Sequence, residues 1–256
     1  MYTVGNILFY IFLEEIMKKA LLVIVMLVAA SLACSLLSPK VSPTNNPPVE
    51  IQPTSAQVQP TAGQIQPTVQ FQNNILFSDD FANSGSGWDQ VNEDYKITDY
   101  ANGGYRMWLT ETQYDIWANP GKSFSGPVSI EVDATKTAGP DNNDFGIICN
   151  YQDVENFYVG LISSDGYAVI SKVEAGTTTY LSSEQMEPVD GINPGSATNH
   201  IRFECNNGEL SLYANSKQVA TANDSSFSSG DVGLQVGTFD EGGVDMLFDN
   251  FLVLKP

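Results

Sequence analysis

From residue 75 to the C-terminus, apolar and polar positions alternate in short runs separated by Gly, Asn, Asp and Pro. A period of two places every second side chain on one face, the pattern of a strand with one face buried and the other wet. It predicts strands over 104–110, 128–133, 144–149, 157–162, 166–173, 200–205, 209–213, 231–236 and 244–254. Turn-forming residues at 164–166, 206–208 and 214–217 lie between runs that would pair as hairpins. No stretch beyond residue 75 keeps an apolar period of 3.6. Regularly spaced strands over this length predict an all-β fold, a two-sheet antiparallel jelly-roll sandwich spanning 75–256.

The pattern upstream is different. Residues 20–37 carry no charge and follow Lys18 and Lys19, a basic start and an apolar run of the secretory type. Glu14 and Glu15 put the wrong charge before that run, so residues 1–16 read as a mis-assigned start and Met17 as the expected initiator. Residues 17–38 then form the signal segment. Its closing Ser31-Leu-Ala-Cys34 resembles the lipobox of bacterial lipoproteins, departing from it at Ser31 where Leu is favoured. The resemblance implies lipidation of Cys34 and an extracytoplasmic protein held at a bacterial membrane by its lipid. An ordinary cleaved signal and an uncleaved anchor are the alternatives, because about 18 apolar residues just span a bilayer.

Residues 39–74 hold seven of the 13 prolines, and Ile51, Val58 and Ile65 each begin a repeat of the form apolar-Gln-Pro-Thr. A seven-residue period would suit a coiled coil, but one Pro per repeat removes a helix donor and clashes with the preceding turn. The segment reads as an extended linker, reaching at most about 110 Å in polyproline II geometry.

Composition limits the partners. With 11 Lys+Arg against 30 Asp+Glu the formal net charge is −19, which excludes nucleic acid as a natural ligand because phosphate binding needs clustered cations. Cys149 shares a strand face with Phe145 and Ile147, and Cys205 with Ile201 and Phe203. Two core-facing cysteines in an exported domain imply a disulfide, with two buried free thiols as the alternative. No Gly-x-Ser-x-Gly is present, and the only histidine, His200, opens a strand, so neither a hydrolase triad nor a zinc site is assembled by the sequence.

In order along the chain come Leu76-Phe-Ser-Asp-Asp-Phe81, Ser86-Gly-Trp88, Gly146-Ile-Ile-Cys-Asn-Tyr151, Asp165-Gly-Tyr167, Asn207-Gly-Glu-Leu-Ser-Leu-Tyr213, Gly230-Asp-Val-Gly233 and Phe248-Asp-Asn-Phe251. The series resembles the concanavalin A-like lectin/glucanase superfamily, in the branch that includes 3-keto-disaccharide hydrolase domains and laminin-G-like modules. The likeness covers 75–256 and implies architecture more than activity. Retaining glucanases of this superfamily carry Glu-x-Asp-x-x-Glu on one strand. The nearest match here is Glu131-Val-Asp133-Ala-Thr-Lys136, with Lys in place of the last acid. Domains of this kind often hold a structural Ca2+ near their terminal strands, which places Asp79, Asp80 and Asp249 as candidate ligands. Asp141-Asn-Asn-Asp144 reads as a plain turn.

Glycan binding is the leading expectation for function. Tyr105, Met107 and Leu109 share one strand face, leaving Arg106 and Trp108 on the other, where a ring and a charged donor would hold a sugar. Trp117, Glu131 and Asp133 complete the candidate ligand-binding set. No catalytic residue is assigned. A glycoside or 3-keto-disaccharide hydrolase and a structural module of the cell envelope are the alternatives.

Overall fold

The computed structural model describes residues 74–256. The expectations for residues 1–16, the signal segment with Cys34, and the linker up to residue 73 lie outside the described residues. The described chain is an all-β, two-sheet antiparallel sandwich. Its first sheet runs in the order β15 (Lys217–Asn223), β14 (Glu209–Ala214), β13 (Asn199–Asn206), β7 (Val128–Ala138), β17 (Val244–Leu254), β4 (Gly104–Leu109), β3 (Lys96–Ala101), β2 (Val91–Glu93). The opening strand β1 (Ile75–Asp79) lies beside the second half of β17, so the terminal strands pair. The second sheet runs β11 (Thr177–Tyr180), β10 (Tyr167–Glu174), β9 (Asn156–Ile162), β8 (Asn143–Asp153), β16 (Ser229–Thr238), β5 (Tyr114–Ala118). Short strands β12 (Glu187–Pro188) and β6 (Ser123–Ser125) add to β10 and β16.

The alternation predicted from sequence sorts as a sandwich requires. Tyr105, Met107 and Leu109 of β4, Ile130 and Val132 of β7 and Phe203 of β13 meet Phe145 and Ile147 of β8, Tyr158 of β9 and Leu234 of β16 in one core. Tight turns supply the hairpins: Asn207 and Gly208 join β13 to β14 with positive φ, and Asn215 and Ser216, at φ 50° and 68°, join β14 to β15. These are the left-handed pairs whose twist matches the flanking strands. Cys149 on β8 and Cys205 on β13 form a disulfide between the two sheets, as expected. Its 56-residue separation gives on the order of 4 kcal/mol in the chain-entropy account.

A second set of rings seals the end where the termini of the domain meet. Trp88 lies edge-on to Phe251 at 4.8 Å and close to Phe81 and Tyr105. Asp79 holds this corner, accepting hydrogen bonds from Phe81 N at 2.8 Å and Trp88 Nε1 at 3.0 Å. Several strands escape the pattern reading: β2, β3, β5, β6, β11, β12 and β15. Most are short, and β11 and β12 are exposed at every position, so little apolar alternation marks them; β5 does alternate, with Ile116 and Ala118 facing inward. Asp144, expected both to close the 141–144 turn and to open the 144–149 strand, lies on β8 and pairs with Gly237 of β16.

Candidate functional site

Four of the five predicted ligand residues lie on the outer face of the first sheet. Arg106 forks onto Asp245, its Nε 2.9 and 3.1 Å from the two carboxylate oxygens and its Nη2 2.7 Å from one of them. That hydrogen bonding raises the guanidinium pKa. The guanidinium carbon sits 5.8 Å from the ring centre of Trp108. Glu131 and Asp133 face His200, at 3.4 Å from Nε2 and 2.8 Å from Nδ1, and Asn250 Nδ2 donates to Asp133 at 2.9 Å. These groups therefore spend their polar capacity on each other. Lys136, the last position of the glucanase-like run, is buried on the opposite face of β7 and donates to Gly139 O. Trp117 stands apart from all four, on the outer face of the second sheet.

Of the candidate calcium ligands, Asp79 and Asp80 share one hollow and Asp249 lies outside it. Both oxygens of Asp79 accept the bonds already described, and Asp80 Oδ1 accepts from Ala82 N at 3.1 Å. Together with Asn250 they line a hollow of about 520 Å³ that does not include Asp249. Asp249 accepts from Asn250 N at 2.7 Å and lies opposite Asp133. Among the described residues no group of three or more His, Cys, Asp or Glu is arranged to hold a metal.

The outer face of the second sheet has a different character. Strands β8, β9 and β10 are apolar on both sides, and Ile148, Phe157, Val159, Leu161 and Val169 form a second buried cluster there. Trp117, Tyr151, Val173 and Met186 pack at its margins. Beside it opens a groove of about 530 Å³. Its floor follows from strand register. One row runs Leu161, Gly146, Gln235, Trp117; the next runs Asp144, Gly237, Asp115. Glycine at 237 leaves room that the carboxyls of Asp115 and Asp144 occupy, whereas at Gly146 a Cβ would meet the Gly160 carbonyl oxygen at 1.9 Å, so glycine there permits the close approach of β9.

At Gly237 the consequence is specific. A Cβ built there would lie 2.2 Å from Asp115 Oδ1 and 2.4 Å from Asp144 Oδ1, so the two carboxyls converge over the bare Cα. Asp144 is 7% exposed, and among the described residues its Oδ1 has no hydrogen-bond partner. Ser171 Oγ, also in the groove, is buried and unpaired in the same way. Burial first, and then the neighbouring Asp115, push the Asp144 pKa well above the carboxylate range. Asp115 is exposed as a whole residue, yet loss of solvent around its carboxyl raises its pKa too. The Tyr180 phenol at the far wall is raised by burial and then by the same two acids. A polar pair starved of partners, beside an aromatic wall, is an arrangement that gains by binding a ligand with hydroxyl or amine donors.

The sequence reading missed Asp115, Asp144, Ser171, Tyr180 and Gln235. Two signals pointed to them. Asp115 and Trp117 share a strand face opposite Ile116 and Ala118, and in Gly233-Leu-Gln-Val-Gly237 the outward positions are Gly, Gln, Gly. A strand that is apolar on one side and bare on the other faces something other than bulk solvent.

No family model matches the chain, and no curated protein matches it. Solved structures do. The chain is similar to the carbohydrate-binding module CBM66 from Bacillus subtilis, 22% identical with TM-score 0.53, over 66% of this chain and 96% of the module. It is similar to a protein of unknown function with a galectin-like fold from Bacillus subtilis, 8% identical with TM-score 0.53, over 70% of this chain and 95% of that one. A mutant of the GH43 protein BlXynB from Bacillus licheniformis matches at 13% identity and TM-score 0.51, over 70% of this chain but 39% of its own length. At these identities the likeness is one of fold. Residues 74–256 form a two-sheet β-sandwich whose fold is shared with these structures.

Proposed function

We propose that the sandwich is a glycan-binding module whose ligand lies in the groove on the outer face of the second sheet, with Trp117 as the stacking ring and Asp115, Asp144, Gln235 and Ser171 as polar contacts. The observation that carries this reading is the groove itself: two buried polar atoms without partners and two carboxyls converging over Gly237, beside a half-buried indole. A sugar ring has an apolar face to stack and hydroxyls to satisfy the orphaned groups. The fold shared with a carbohydrate-binding module supports the same class of ligand. The face of Arg106 and Trp108 is less suited, since its charges are already paired.

We place the module outside the cytoplasm, carried by a lipid on Cys34 and an extended 39–74 linker; the basic start, apolar run and lipobox-like residues support this. Hydrolysis is the second reading, favoured by the carboxyl pair alone, since paired acids are what a glycosidase uses.

Glycan-array screening of the full chain followed by affinity electrophoresis separates the faces. Trp117→Ala should weaken binding about tenfold or more, equivalent to ~1.4 kcal/mol, while Trp108→Ala leaves it unchanged. The opposite pattern moves the site to the first sheet, and release of reducing ends by wild type but not Asp144→Asn establishes the hydrolase.

A further inference from the structure

The geometry points to a ligand class: resting on the glycan-binding reading, we propose that the groove selects sugars bearing a free, protonated amine, and that Asp115 and Asp144 grip that ammonium across Gly237. Among the described residues, no Lys, Arg or His lines the groove. Its charge comes from two carboxyls aimed at one point, and the buried Oδ1 of Asp144 has no donor among the described residues. Two carboxylates so placed repel each other, and the repulsion is relieved by a proton or by a cation between them. An ammonium has three donors and a full charge, and bound at the two oxygens that converge above Gly237 it would supply the donor the buried Asp144 Oδ1 lacks.

The surroundings favour the same ligand. Trp117 shares the face of Asp115 two residues away, so an indole is available both for the sugar's apolar face and for the cation. An adjoining hollow shares Tyr180 and Phe239 with the groove and adds Asp165, again without a cation. The net charge of −19 concentrates cationic glycans at the surface and repels acidic ones. An N-acetylated sugar brings no charge and leaves the pair to its proton.

The sign of the pH effect follows. The groups facing Asp144 are Asp115 from β5 and Tyr180 from β11, while β16 offers only uncharged Gln235 and Gly237. Acidification protonates the pair and weakens ammonium binding; alkali deprotonates the amine. Affinity for an amino sugar therefore passes through a maximum, and affinity for a neutral sugar does not.

The test titrates the full chain with glucosamine oligomers and with the same oligomers N-acetylated, across a pH series and with and without EDTA. Supporting results are a preference of about tenfold or more for the free amine, a bell-shaped pH profile, and loss of both in Asp144→Asn. Asp115→Asn serves as the second variant should the first fail to fold, and Trp117→Ala should weaken both ligands. Equal binding of both oligomers, or a preference that survives Asp144→Asn and Asp115→Asn, overturns the amine proposal and leaves the glycan reading standing. Binding abolished by EDTA also overturns it, by assigning a metal ion to the pair. If no glycan of any kind shows Trp117-dependent binding, the glycan reading itself falls.

Discussion

Asp144 shows how one residue can be costly to the fold and useful to the site. Its carboxyl is buried, faces a second acid and carries a raised pKa, so the folded state holds its proton at a pH where the unfolded chain has released it. Stability from this group is present at low pH and is lost as pH rises through the folded value. Asp224 works in the opposite sense. Hydrogen bonds from Tyr158, Ser226 and Lys172 outweigh its burial and hold its pKa low, so its contribution is lost only as pH falls below the ordinary carboxylate value of about 4. The two windows do not overlap. Asp144→Asn should therefore raise Tm at neutral pH by roughly 2–4 °C, and the gain over wild type should shrink toward pH ~4. A thermal melt series in pH checks this, and a lower Tm at neutral pH would mean that the carboxylate is stabilised by a partner.

At the scale of elements, β16 explains why the groove exists. Its inward residues Val232, Leu234 and Val236 are core, whereas its outward positions are Gly233, Gln235 and Gly237. The strand is held by β8 on one side and β5 on the other, so its outward glycines sit at the middle of a paired sheet rather than at an edge. Gly237 has an ordinary strand backbone, and its lack of a side chain serves space instead of conformation. Gly237→Ala should thus fold, with the new methyl pushing the two carboxyls apart, and should lower glycan affinity about tenfold or more. Circular dichroism and affinity electrophoresis together check it; unchanged affinity would place the ligand away from the acid pair.

For the whole molecule, the sandwich presents two outer faces of contrasting chemistry. One carries paired charges: Arg106 with Asp245, His200 with Glu131 and Asp133, and Arg202 with Glu204. Most of its polar groups are thus engaged, although Arg202 Nε is buried without a hydrogen bond among the described residues. The other is apolar and aromatic with orphaned polar atoms. On the proposed reading, the lipid on Cys34 displays this surface outside the cytoplasm. Fatty-acid labelling in a bacterial host should mark the wild-type chain and miss Cys34→Ala, and equal labelling of the two would end the lipid-anchor reading.

The strand alternation and the turn residues determined the fold class without any tertiary information, because period two and left-handed Asn/Gly turns are local consequences of backbone geometry. They also placed Cys149, Cys205 and Tyr105 on inward faces, leaving the disulfide to be formed by the packing of the two sheets. What alternation cannot supply is the identity of the neighbouring strand. Arg106 and Trp108 looked available because Asp245 is 139 residues away in sequence and only sheet pairing brings it to them. Asp115 and Asp144 could not be read as a pair, because Gly237, which lies between them, comes from the far end of the chain. A binding face is set by which strands lie side by side, and that arrangement is decided by the packing of the two sheets.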